Sequence, residues 1–177
     1  GDFHCDEDMG GRAWHHYPLQ RWAGFSGDHL QPEQTTAPWL HYPPGTLLNE
    51  IYTGWRWPHV VDTIRHRPLD YAKLWRIAQA RAGKPVKFGT CSSQVLAIFL
   101  DSHTSEYDRD DKKQLIWDMA TAMNTELRGL AAAGAKVIVL SSVDTREARE
   151  RALAAGAAAF LSKSLSMAAV METARRV

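Results

Sequence analysis

Past Trp117 the chain contains no further tryptophan, histidine, proline or cysteine. Its 177 residues hold only two cysteines, Cys5 and Cys91. That excludes a disulfide framework and makes a reducing cytoplasm the expected compartment. Neither sign of charge is in excess. The formal net charge is +1 with bases and acids interleaved, so a positive face for nucleic acid is not indicated. No apolar run reaches the length that crosses a bilayer, and no signal-peptide pattern opens the chain, so no membrane partner is expected. What remains, 45% apolar and 23% charged, is the composition of a soluble globular protein long enough to bury a core. The chain opens on Gly1-Asp2-Phe3-His4, in the manner of a fragment that begins inside a fold.

The stretch that is richest in signal runs from Gly134 to Lys163. Ala135 to Ser142 carries a continuous apolar run, rich in β-branched residues and entered from a glycine, which predicts a fully buried parallel strand. Asp144 is the expected N-cap of the next helix, with Glu147 as its capping-box partner. That helix carries Ala148, Ala152, Leu153 and Ala155 and stops at Gly156. Ala157 to Leu161 then predicts a second buried strand ending at Lys163, and Ser166 caps a last helix to Val177. The expectation is a strand–helix–strand–helix unit with Ser141 and Lys163 at one edge.

Earlier segments are less regular. Trp14 to Phe25 is aromatic without a clean period, and Ser26 to Gly54 is a Pro-, Gly- and aromatic-rich irregular loop. Trp57 to Ile64 reads as an edge strand, because its proline stands near the start. Leu69 to Ala82 predicts a helix with Leu69, Ala72, Leu74, Ile77 and Ala78 on its apolar face and Gly83 after its end. Pro85 to Thr90 predicts a short strand into the turn Gly89 to Ser93, followed by a helix from Val95 to Leu100. After a polar turn from His103 to Asp110, Asp111 to Ala133 is the longest predicted helix. Leu115, Ile116, Met119, Met123, Leu127 and Leu130 form its stripe, and Gly134 closes it. From Pro85 onward the order is β-α-α-β-α-β-α, which predicts α/β architecture with at least three parallel strands and helices outside.

Several segments carry a resemblance in order: Gly1 to His4, Tyr17 to Phe25, Lys84 to Thr90, Ile116 to Ala120 and Gly134 to Ile138. Together they resemble the cobalamin-independent methionine synthase family. The resemblance implies a zinc-dependent methyl transfer from a folate to the thiol of homocysteine, on a (β/α)8 (TIM) barrel. It implies that Asp2 is the strand-end carboxylate that meets the amino-acid substrate. It also implies that the turn holding Thr90 and Ser92 is the substrate-side loop at the barrel's C-terminal face. A small-molecule thiol and a folate are the implied partners. The family's zinc motif, His-x-Cys, has no counterpart, since Phe3 precedes Cys5 and Gly89 precedes Cys91 at that spacing. Zinc is therefore not expected to be bound, catalytic residues are not assigned, and the chain alone is expected to be inactive.

Residues Lys136 to Ser142, Ala154 to Ala157 and Phe160 to Ser164 resemble instead the second half of a response-regulator receiver domain. There the Ser141 hydroxyl and the Lys163 ammonium would contact an aspartyl phosphate. The half that carries the phosphoacceptor and the acidic magnesium pair has no counterpart. The expected organisation is a barrel-type fragment over residues 1–138 that continues into a flavodoxin-like, receiver-like segment over 139–177 on the same sheet. The alternative to a methyltransferase fragment is a non-enzymatic receiver-like module or a structural chimera. Open sheet edges offer either one a route to a homodimer.

Each site has a plainer structural reading beside it. His4-Cys5-Asp6-Glu7-Asp8 reads as a solvated acidic turn, because its spacing fits no tetrahedral zinc pattern. His15-His16 reads as a surface or packing pair. Gly89 to Ser93 reads as a tight strand–helix turn, which needs the same small residues that cradle an anion. Ser141 and Lys163 read as idle without a carboxylate to serve, and Met119 and Met123 read as core.

Overall fold

The computed structural model describes residues 16–26, 58–98 and 100–177. Asp2, the His4–Asp8 turn, His15 and most of the Pro-rich loop lie outside the described residues. Ten elements follow in chain order: α1 (His16–Arg21), β1 (Ala23–Phe25), β2 (Val60–Arg65), α2 (Tyr71–Arg81), α3 (Ser93–Ile98), α4 (Lys113–Ala132), β3 (Ile138–Ser141), α5 (Arg146–Ala154), β4 (Ala159–Ser162) and α6 (Met167–Arg176). Among the described residues the fold is mixed α/β, with six helices and two two-stranded sheets. None of these helices is long and apolar enough to cross a membrane.

The chain divides into two units, one of Gly1–Asp70 with Ala82–Glu126, the other of Tyr71–Arg81 with Leu127–Val177. In the first, β1 and β2 pair antiparallel with a register irregularity between Ala23 and Phe25. Gly24 makes this approach feasible. It takes φ +99°, and a Cβ there would stand 2.7 Å from the Thr63 carbonyl oxygen and 2.8 Å from that of Asp62. The core of this unit gathers Leu19, Trp22, Val60, Ile64, Leu69, Leu96, Leu100, Leu115 and Met119, all nearly inaccessible. Burying a leucine or methionine of this kind contributes about 1.5–3 kcal/mol relative to leaving it exposed. The first two turns of α4 supply Leu115 and Met119 because three- and four-residue spacing lays them on one stripe. Lys112 closes the short helix α3 from outside, its Nζ donating to the carbonyls of Ala97 (3.1 Å) and Leu100 (2.7 Å).

In the second unit β3 and β4 run parallel, with Ile138 opposite Ala159 and Ser141 opposite Ser162. α5 connects them. Gly134 and Gly156 take φ +99° and +98°, so each expected glycine stop ends its helix in the left-handed region.

The structure departs from the sequence expectations at several points, one of them α2, where Ile77 and Ala78 of the predicted apolar face are exposed. Among the described residues two strands, not three, make parallel ladders. β1 and β2 are antiparallel, and a single parallel bridge joins Val60 to Ser102. Residues 85–90 form no strand. Pro85, Lys87, Phe88 and Gly89 are exposed, whereas a strand inside a helix-covered parallel sheet is buried on both faces. β3 is not fully buried either, with Leu140 46% exposed, because the ladder beside it is two strands wide. Finally, Thr145 rather than Asp144 caps α5, its hydroxyl accepting from the Ala148 N–H at 3.1 Å. Asp144 is drawn off by Arg149, 2.6 Å away.

Candidate functional site

The first grouping of chemistry-bearing side chains stands where β2 meets the segment after α3. The Val60 N–H donates to the Asp101 carbonyl (2.9 Å) and the His103 N–H donates to the Val60 carbonyl (2.8 Å). This is one rung of parallel ladder, and in such a rung alternate residues face opposite ways. Val60 and Ser102 turn inward, at 0% and 4% exposure. Their neighbours His59, Asp101 and His103 are therefore left together on the outer side, His59 half-buried and the other two exposed. The ligand-capable atoms of the three lie within 4.8 Å of one another. The two imidazoles stack with centroids 3.9 Å apart and planes inclined by 15°.

The backbone beneath this cluster is tied on both sides. The Ser26 N–H donates to the His59 carbonyl at 2.8 Å, and the His59 N–H donates to the Ser26 hydroxyl at 2.9 Å. Ser102 holds the other segment through its hydroxyl, which lies 3.1 Å from the Tyr107 carbonyl and 3.2 Å from that of Thr104. Arg109 Nε adds a bond to the Ser102 carbonyl at 3.0 Å. Tyr107 completes the arrangement. Its hydroxyl donates to Asp118 (2.8 Å) and accepts the Ile64 N–H (2.8 Å), and burial pushes its pKa up to about 12.

The residues singled out from the sequence lie elsewhere. Thr90 is half-buried, its hydroxyl 4.0 Å from the Met123 sulfur, and Ser92 caps α3 by accepting the Val95 N–H at 3.3 Å. Between them Cys91 is buried, and desolvation pushes its thiol up to about 12. Among the described residues Cys91 belongs to no group of three metal-capable side chains, so nothing beside it completes the ligand set that the implied zinc needs. Ser141 and Lys163 are brought to adjoining strand ends, since the Lys163 N–H donates to the Ser141 carbonyl at 2.8 Å. Each nevertheless has a local setting. The Ser141 hydroxyl accepts the Val143 N–H at 3.0 Å, and Lys163 is exposed. Asp2 lies outside the described residues.

The His59–Asp101–His103 cluster was not found from the sequence, where residues 57–64 read as a strand and His103 as part of a polar turn. The signal that would have found it is the Asp-x-His alternation at 101–103, since a two-residue spacing on extended chain puts both donors on one side.

No family model, curated protein or solved structure matches this chain. The class it defines is accordingly that of a mixed α/β protein with a histidine–aspartate cluster on an isolated parallel rung.

Proposed function

We propose that the chain is a fragment of a methionine synthase-type thiol methyltransferase, a partial barrel that runs on into a flavodoxin-like unit and is inactive alone. The reading is supported by the ordered segments that resemble that family. In the geometry it is supported by the passage from α4 through left-handed Gly134 into β3, a strand with a parallel neighbour. Helix, tight glycine turn and parallel strand is the step that a (β/α) barrel repeats. The family reaction needs the homocysteine thiol deprotonated by a bound metal, and among the described residues Cys91 stands in no metal-capable group that would hold one. What such a fragment retains is substrate-side binding through Asp2, Thr90 and Ser92.

The test is a titration of the isotopically labelled chain with homocysteine and, separately, with a methylated folate. Saturable shifts at the amides of Thr90, Ser92 and Asp2, without formation of methionine, are expected. The absence of any response to either compound would remove the reading, and turnover would remove the claim of inactivity.

One observation favours a second reading, a receiver-like module over 139–177. The β3–β4 register sets Ser141 and Lys163 at neighbouring strand ends, where that family contacts phosphate. In this reading acetyl phosphate leaves the intact mass unchanged, while inorganic phosphate shifts the resonances of Ser141 and Lys163. A stable phosphoryl adduct would contradict it.

A further inference from the structure

We propose that His59, Asp101 and His103 form a binding site for a divalent transition-metal cation of the zinc class. The donor set is the first reason. Two imidazole nitrogens and one carboxylate oxygen suit borderline cations such as zinc, cobalt or nickel better than calcium or magnesium, which prefer all-oxygen shells. The second is reach. Donors tetrahedral about one zinc stand about 3.3–3.4 Å apart, given metal–nitrogen bonds of about 2.0–2.1 Å. The three residues already hold their ligand-capable atoms within 4.8 Å of one another. Rotation of the exposed Asp101 and His103 side chains toward half-buried His59 covers the difference.

The third reason is the frame. The two backbone bonds of Val60 fix the positions of Asp101 and His103, and Ser26 fixes that of His59. The two rings stack with nearly parallel planes, so an ion has to turn one imidazole out of the stack to draw both in-plane lone pairs onto itself. A donor set whose main chain is held in this way loses little further backbone freedom on binding. Two neutral imidazoles and one carboxylate leave a bound divalent ion with a net positive charge and at least one position for water or an outside ligand. The cation also bridges segments that are distant in sequence, so binding tightens the rung between β2 and residues 101–103.

This site contains no thiolate and does not depend on the methyltransferase reading. Its failure and that of the reading above are therefore separable.

The experiment uses the full chain, stripped with chelator and titrated with zinc and then cobalt, beside the variants Asp101→Asn and His103→Ala. Both side chains are exposed, so both variants are expected to keep the native circular dichroism. Zinc should raise the thermal midpoint of the parent chain by linkage. Its affinity should fall about tenfold or more in His103→Ala, and measurably in Asp101→Asn. The ring nitrogens of His59 and His103 should shift together on saturation. Bound cobalt should show ligand-field bands without a sulfur-to-metal charge-transfer band. Equal affinity in the parent and both variants, unmoved ring nitrogens of His59 and His103, or a thiolate charge-transfer band would each overturn the assignment, as would no binding at all.

Discussion

Glu126 sits on α4 with 8% exposure, and its Oε1 takes both the Leu69 N–H (2.9 Å) and His66 Nε2 (2.7 Å). Leu69 is wholly buried, so no water replaces that acceptor. Glu126→Ala should cost about 1–3 kcal/mol for the orphaned amide, read as a lower urea midpoint with unchanged slope. Tyr107 serves Ile64 in the same way, and Tyr107→Phe should lose a similar amount. Tyr107 also has a pH signature. Burial raises its hydroxyl from 10.0 to about 12 and the Cys91 thiol from 9.0 to about 12, so both groups hold their protons longer folded than unfolded. Their contribution is complete below pH 9. It is lost as pH rises from there toward 12, because the unfolded chain releases protons first. Denaturant midpoints should fall across that window, and Tyr107→Phe should flatten the upper part of the decline.

At the scale of the element, caps and glycines decide where helices end. Thr145→Ala should destabilise α5 by about 1 kcal/mol, while Asp144→Ala should act through loss of the Arg149 pair instead. Gly24→Ala should do more damage than either. It forces a side chain into the left-handed region and into the backbone of Asp62 and Thr63, so thermal melting should fall furthest for this variant. Helix positions after α1 were legible in the sequence because they rest on three- and four-residue spacing and on local punctuation, whereas α1 falls in an aromatic stretch with no clean period. The long α4, the stop at Gly156 and the cap at Ser166 all depend on neighbours within one turn. Strand partners were not legible. Val86, Phe88 and Thr90 favour β structure, yet none of residues 85–90 is buried or in a strand, and pairing is decided by segments far off in sequence. The same limit hid the His59 cluster, whose members meet through one rung between distant segments. The cap on α5 was misplaced by a single residue, since Asp144 and Thr145 are both good caps and Arg149 settles which is used.

Across the whole molecule, the sealed and the wet parts are unevenly shared. Leu140, Val143, Leu153, Leu165, Met167 and Met171 are all more than 40% exposed, and neither α5 nor α6 has a buried residue. Parallel strands are ordinarily covered on both faces, so a two-stranded ladder with this much wet apolar surface is weakly held. Amide exchange at Ile138–Ser141 and Ala159–Ser162 should therefore be faster than at Val60–Arg65, and a dye that reports exposed apolar surface should bind the native chain. Slow exchange at β3 equal to that at β2 would contradict this. The lone rung at Val60 and Ser102 has a different consequence, one of parity. The anchoring residues carry even numbers and the three outward donors carry odd ones. A deletion of one residue ahead of Asp101 would slip residues 101–103 by one place against Val60, turning the carboxylate and the imidazole toward the core and the serine toward solvent. Drift in the length of that segment is thus tolerable only in steps of two.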